Sequence, residues 1–229
     1  MEIITNKNIL VVGAHSDDEV LGVGGMILKA KKLNSRVSVL IATDSVSTQY
    51  QNDKNKEARR ENHLYDCCKV LGVDEVKQLT FPDMKLDTVA HVDLNQEISH
   101  FLQDKKIDTV FVHHPYDINL DHRLLFDSVM VAARPVPGQQ IKTILSYYTP
   151  SSSEWGAFDN SHIFAPNVYI DIHDVIEKKI EALACYKDEM RPFPHPRSIE
   201  NIRVMAAYFG AQVGLAAAEA FKLVRSVQN

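Results

Sequence analysis

Two short stretches of this sequence concentrate groups that can carry acid–base or metal chemistry. The first reads Gly13-Ala14-His15-Ser16-Asp17-Asp18-Glu19, and the second reads His113-His114-Pro115-Tyr116-Asp117-Ile118-Asn119-Leu120-Asp121-His122-Arg123. A catalytic zinc ion usually takes three protein ligands and leaves one position for water. His15, Asp18 and His122 would supply such a set, drawn from both stretches. Asp17 then stands beside a ligand without having to bind metal, which is where a general base acting on metal-activated water belongs. Asp121, next to His122, suits a carboxylate that holds a metal-bound imidazole in place from outside the coordination sphere. The same donors accept iron, manganese or cobalt, so zinc is the first choice among the divalent transition metals. Taken singly, each stretch also reads as a solvated turn or a strand end. Their shared pattern, a histidine among carboxylates, is the argument for one common site.

The elements around them must bring the two stretches together. Ile9 to Val12 is a continuous apolar run, as expected of a strand buried on both faces. A polar turn and the glycines Gly22, Gly24 and Gly25 follow, and Met26 to Lys32 reads as helix. Val37 to Ala42 is a second strand, residues 54–71 an amphipathic helix stopped by Gly72, and Val76 to Phe81 a third strand. Val92 to Leu102 reads as helix, Thr109 to Val112 as a fourth strand, and Leu124 to Arg134 as a helix ended by Pro135-Val136-Pro137-Gly138. Ile144 to Tyr148 and Val168 to Ile172 are later strands, with helices expected over 174–188 and 198–225. Alternation of strand and helix implies a single α/β domain built on a largely parallel sheet with helices on both faces. In such sheets ligands bind beyond the carboxyl ends of the strands, where both polar stretches fall.

Composition narrows the class. The chain has 229 residues and a formal net charge of −5, with no basic run of the kind that drives nucleic-acid binding. No apolar stretch approaches the ~20 residues that span a bilayer, and no secretory signal is visible. Cys67, Cys68 and Cys185 do not resemble a disulfide framework and suit a reducing cytosol. The expectation is a cytoplasmic protein acting on a small molecule, without nucleic-acid or membrane partners; a homo-oligomer is left open.

The run Ala14-His15-Ser16-Asp17-Asp18-Glu19 resembles the Ala-His-Pro-Asp-Asp-Glu signature of the PIG-L/LmbE-like N-deacetylase family. Further matches reach across nearly the whole chain: His113-His114-Pro115, Asp121-His122-Arg123, Ser152-Ser153-Glu154-Trp155 and Pro194-His195-Pro196-Arg197-Ser198. The resemblance implies a zinc hydrolase on a Rossmann-like fold that removes acyl groups, mostly acetyl, from amino sugars and related amines. By position it implies His15, Asp18 and His122 as ligands and Asp17 as base. It further implies Arg60 as a substrate contact, with neighbouring Arg59 as the alternative, and Asp83 as a ligand for a substrate hydroxyl.

Two departures from the family pattern bear on mechanism. Ser16 replaces the usual proline, which is expected to loosen the turn without removing a reactive group. Asn119 stands where many members carry a histidine that stabilises the oxyanion or protonates the leaving amine. Asn can donate a hydrogen bond but cannot act as an acid. We therefore assign the acid role to His195, in its proline-flanked turn, with His114 as second choice. Trp155 suits stacking on a sugar ring or packing under a loop, and Arg60 and Arg197 suit a substrate phosphate or carboxylate. Gly22, Gly24 and Gly25 lack the full dinucleotide-binding spacing, so close helix–strand packing is the expected reason for them. The rival readings are a non-catalytic Rossmann-like nucleotide- or partner-binding module and a phosphoester hydrolase. Two-metal phosphoesterases need more ligands than this triad supplies.

Overall fold

The computed structural model describes residues 3–46, 48, 54–156 and 161–228, with the side chains of 54–61 outside the description. The described strands are β1 (Asn8–Gly13), β2 (Arg36–Thr43), β3 (Glu75–Phe81), β4 (Thr109–His113), β5 (Thr143–Tyr147), β6 (Val168–Asp171) and β7 (Ala218–Ser226). They form one sheet in the order β3-β2-β1-β4-β5-β7-β6. The first five run parallel, while β7 lies antiparallel to both β5 and β6. Six helices accompany them: α1 (Asp18–Lys32), α2 (Lys54–Leu71), α3 (His91–Asp104), α4 (Leu120–Ala132), α5 (Ile176–Leu183) and α6 (Ile199–Ala211). Among the described residues no helix is long and apolar enough to cross a membrane.

The continuous apolar runs of the central strands follow from burial on both faces. Ile9 and Val11 of β1 pack with residues of α1, α2 and α5, including Val20, Met26, Leu64, Cys67 and Leu183. Leu10 and Val12 face the other way, onto Leu94, Ile98 and Phe101 of α3 and Leu125 and Val129 of α4. The chain builds outward from β1 to β3, then returns to place β4 on the other side of β1. The carboxyl ends of β1 and β4 therefore lie side by side at the point where the strand order reverses, the place where open α/β sheets leave a ligand crevice.

The largest departures from the sequence expectation fall at α1 and after α6, while α4 begins at Leu120 rather than Leu124 and the helix expected over 174–188 is Ile176–Leu183 with one further short turn. The helix expected over Met26–Lys32 begins at Asp18, so Gly22, Gly24 and Gly25 lie inside it. Glycine lowers helix propensity, but a Cβ on Gly22 would come within 2.3 Å of the Tyr147 ring and one on Gly25 within 2.6 Å of Ile172. Close packing of α1 on the sheet requires them. The helix expected over 198–225 ends at Ala211, Gly214 turns at φ +78°, and the alanine-rich segment becomes β7. Pairing with both β5 and β6 overrides the helix propensity of alanine there. A buried ion pair also ties β7 to the middle of α1. Glu219 accepts from the N–H groups of Gly25 and Met26, each at 2.7 Å, while Lys179 of α5 bonds both Glu219 and the Leu21 carbonyl.

Gly22→Ala tests the close approach of α1. The added methyl is expected to cost about 1–3 kcal/mol through overpacking against Tyr147, read as a lower urea midpoint at unchanged slope. A midpoint equal to the parent's would show that the ring yields.

Candidate active site

The loops after β1 and β4 converge. The imidazoles of His15 and His122 lie with ring centroids 5.4 Å apart. The first loop is a tight turn closed on itself: the His15 N–H donates to Asp18 Oδ2 at 2.8 Å, and the Asp18 N–H donates to the His15 carbonyl. Asp18 then opens α1 with its carboxylate aimed at the second loop. His122 sits in the first turn of α4, its Nδ1 donating to Asp117 Oδ2 at 2.9 Å and its Nε2 3.6 Å from Asp18 Oδ1. His15 presents Nδ1 3.6 Å from Asp18 Oδ2, while its Nε2 meets Asp121 Oδ2 at 3.1 Å and lies 3.6 Å from Asp83 Oδ1.

Charge and burial set the protonation of these rings. Burial pushes His122 down to about 3, outweighing the pull of Asp18, so it stays neutral with the Nε2 lone pair exposed toward Asp18. Burial opposes a charge on His15 as well, but the carboxylates of Asp121 and Asp18 outweigh it and hold that imidazole up at about 10. Burial and the neighbouring His122 push His113 down to about 4. His113 accepts the Ala14 N–H at Nε2, turns Nδ1 to Thr149 and stacks on His122 at 3.7 Å.

The residues fit a metal ion. Asp18 Oδ1 and His122 Nε2 are buried and lack a hydrogen-bond partner, a costly arrangement unless something positive sits between them. Tetrahedral bonds of ~2 Å place ligand atoms about 3.3 Å apart; His122 Nε2 lies 3.6 Å from Asp18 Oδ1, and His15 Nδ1 lies 3.6 Å from the other oxygen, Oδ2. His15, Asp18 and His122 can bring one donor atom each within 4.8 Å of one another; His113, Asp117 and His122 can do the same. The second grouping is chemically occupied, because His122 Nδ1 is committed to Asp117 and His113 Nε2 to Ala14. The first is the one that would hold the ion.

Residues 10–133 match the model of the family described as PIG-L, GlcNAc-PI de-N-acetylase. The chain belongs to the PIG-L family. An uncharacterized deacetylase of Escherichia coli, YaiS, is 32% identical over 161 residues, covering 66% of this chain and 78% of that protein. The diacetylchitobiose deacetylase of Thermococcus kodakarensis is 26% identical over 231 residues, covering 96% and 84%. Among solved structures, the 4-carboxy-2-hydroxymuconate hydratase GalB of Pseudomonas putida superposes with a TM-score of 0.75 at 21% identity, covering 97% of this chain and 99% of that one. That likeness shows the fold alone.

The other predicted residues fall as follows. Asp17 is buried beside the ligand set, and Arg197, read from sequence as an anion contact, donates Nη1 to Asp17 Oδ2 at 2.8 Å. Its Nε donates to Ser151 Oγ. Asp121 braces His15, and its Oδ1 accepts the Leu86 N–H. Asp83 is buried next to the same imidazole. Asn119 caps α4, accepting the Asp121 N–H at 2.9 Å, with Nδ2 turned to Met84. His195 accepts the Arg197 N–H at Nδ1, and Trp155, 47% exposed, stands edge-on to it at 5.8 Å. His114 is buried against the His162 carbonyl, Tyr116 and Phe164. Arg60 lies in α2, and its side chain is outside the described residues, as is that of Arg59.

Ser16 corrects one expectation. Its N–H, which proline would lack, donates to Ser45 Oγ at 2.8 Å, so the turn is tied to the end of β2 rather than loosened. Sequence reasoning also passed over Asp117, the carboxylate on His122. Its place five residues before a candidate ligand was the available signal.

Asp117→Asn is expected to weaken affinity for added zinc about 10–100-fold by releasing the His122 ring, measured by competition with a chromophoric chelator. Parent-like affinity would show that packing alone orients His122.

Proposed function

We propose that this protein is a metal-dependent amide hydrolase that removes an N-acyl group, acetyl in the first instance, from an amino sugar or a related small hydroxylated amine. The observation that carries the reading is the buried carboxylate of Asp17, paired with Arg197 and adjacent to a ligand set whose Asp18 and His122 donors have no protein partner. Zinc is the preferred ion for two imidazoles and one carboxylate. The family match and the relative named for diacetylchitobiose support the substrate class.

The ion, when bound, lowers the pKa of water toward ~7 and polarises the amide carbonyl. Asp17 takes the proton of the attacking water, and Arg197 orients that carboxylate. Asn119 Nδ2 and His195 are the donors assigned to the oxyanion of the tetrahedral intermediate. Because His195 Nδ1 accepts the Arg197 N–H, its neutral form carries the proton on Nε2 and can donate from there. The C–N bond breaks as Asp17 returns the proton it took from water, or as His195 in its imidazolium form gives one, to the nitrogen, giving acetate and a free amine. Trp155 offers an exposed face beside His195 for a sugar ring. Asp83, His114 and Arg60 complete the assigned substrate contacts. The free cysteines, two of them buried, fit a reducing compartment, and we assign the enzyme to the cytoplasm.

Metal analysis combined with acetate release from a panel of N-acetyl sugars tests the reading. Asp17→Asn is expected to lower turnover about 10²–10⁴-fold while metal content stays near the parent's; unchanged turnover would remove Asp17 from the chemistry. His195→Gln is expected to lower kcat and abolish the basic limb of the pH profile. Near-native turnover with that limb intact would reassign the acid. A parent that binds no metal and tolerates His122→Ala would instead favour a non-catalytic binding module.

A further inference from the structure

A base needs aim as well as charge, and Asp17 has an unusual backbone. It lies at φ 125°, ψ −24°, in the positive-φ range that residues with a Cβ avoid. Arg197 restrains its side chain, but the backbone is restrained by something else. The Asp17 N–H donates to Glu19 Oε2 at 3.0 Å, and the Asp17 carbonyl accepts from the N–H groups of Val20 and Leu21. Glu19 has no solvent contact. Its Oε1 accepts the Tyr186 hydroxyl at 2.7 Å. Tyr186 is itself buried, in the single helical turn that follows α5. One enclosed side chain thus joins α1 to the α5 extension, and one of its donors is the backbone of Asp17.

Resting on the reading of Asp17 as base, we propose that Glu19 and Tyr186 are a positioning pair that holds Asp17 in its unfavourable backbone conformation and so aims its carboxylate at the reacting water. Neither residue touches substrate; both act through Asp17. The arrangement is ordered by hydrogen-bond capacity. A carboxylate accepts at both oxygens and can serve the Asp17 N–H and the Tyr186 hydroxyl together, whereas a Gln in its place presents an NH₂ to one of them. Without the Tyr186 hydroxyl, Glu19 Oε1 loses the donor that fixes its side chain, and Glu19 Oε2 is free to move off the Asp17 N–H. Asp17 is then able to relax toward negative φ, which swings its carboxylate away from the ligand set.

The test uses Tyr186→Phe, which keeps the ring packing, and Glu19→Gln, each in the metal-loaded protein. The pair predicts that the Asp17 amide proton resonance moves upfield and exchanges faster with solvent in both variants. It also predicts that kcat falls about tenfold or more at unchanged KM and metal content. A merely structural role would lower the melting temperature while leaving kcat within about twofold of the parent and the Asp17 resonance in place, and that result overturns the proposal. Should the parent hydrolyse no N-acyl sugar, the functional reading fails on its own. The Asp17 resonance in the two variants would still decide whether the Glu19 bond holds this backbone, and an unmoved resonance would end the proposal independently of activity.

Discussion

Burying carboxylates together is the constraint on which this structure turns. Asp17, Asp18, Asp83 and Asp121 are each at most 3% exposed, and all border one cleft. Removing a carboxylate from water costs several kcal/mol unless a cation or a full set of donors replaces the solvent. The described residues supply Arg197 against Asp17, and among Asp18, Asp83 and Asp121 they supply His15, which gives up its charge when its Nδ1 binds an ion. His113 and His122 contribute none, because burial keeps both neutral. Negative charge is left in excess where Asp18 Oδ1 and His122 Nε2 have no partner. A divalent cation at that point relieves the excess and uses both atoms, so the same cation that enables the proposed chemistry also offsets the cost of assembling the site.

Such a concentration of charge can exist only on a rigid frame. The β1–β4 junction provides it, because both strands are central, buried on both faces and paired to each other. Each loop is then fixed by backbone donors: Thr43 N–H to the Ala14 carbonyl, Ser16 N–H to Ser45, Asp121 N–H to Asn119 and Leu86 N–H to Asp121. The glycine-lined face of α1 lets that helix settle onto Tyr147, whose hydroxyl bonds the Val12 carbonyl directly beneath the cleft. Packing of α1 and placement of the first loop are therefore one problem with one solution.

The parts of this molecule that were legible in its sequence are those with local signatures. Continuous apolar runs announced β1, β2 and β4, and the polar stretches behind β1 and β4 marked the site before any geometry was known. Non-local pairing was not legible. Nothing in Ala216-Ala217-Ala218 signals that the following residues bridge β5 and β6, since alanine favours helix until two strands claim its backbone. The start of α1 was hidden for the opposite reason, glycines that weaken helix propensity being demanded by close contact with Tyr147 and Ile172. Within the site, residue types pointed to His15, Asp18 and His122, but the partners that orient them come from positions whose relation only the fold defines. Arg197, 180 residues from Asp17 in the chain, is the clearest case.

That distance makes the C-terminal segment more than a boundary of the cleft. Arg197 uses its side chain to bond Asp17 and its backbone N–H to bond His195 Nδ1. The first contact orients the carboxylate. The second fixes the neutral imidazole as the tautomer with its proton on Nε2, a hydrogen-bond donor of the kind an oxyanion needs. One residue therefore orients both the proposed base and the proposed oxyanion donor. The departure at position 119 gains a physical meaning from this. Asn119 spends its oxygen on capping α4, and an amide has no proton to release, so proton donation must come from elsewhere in the cleft. The proposed source is the His195 turn, anchored through Arg197 to Ser151 as well as to the proposed base.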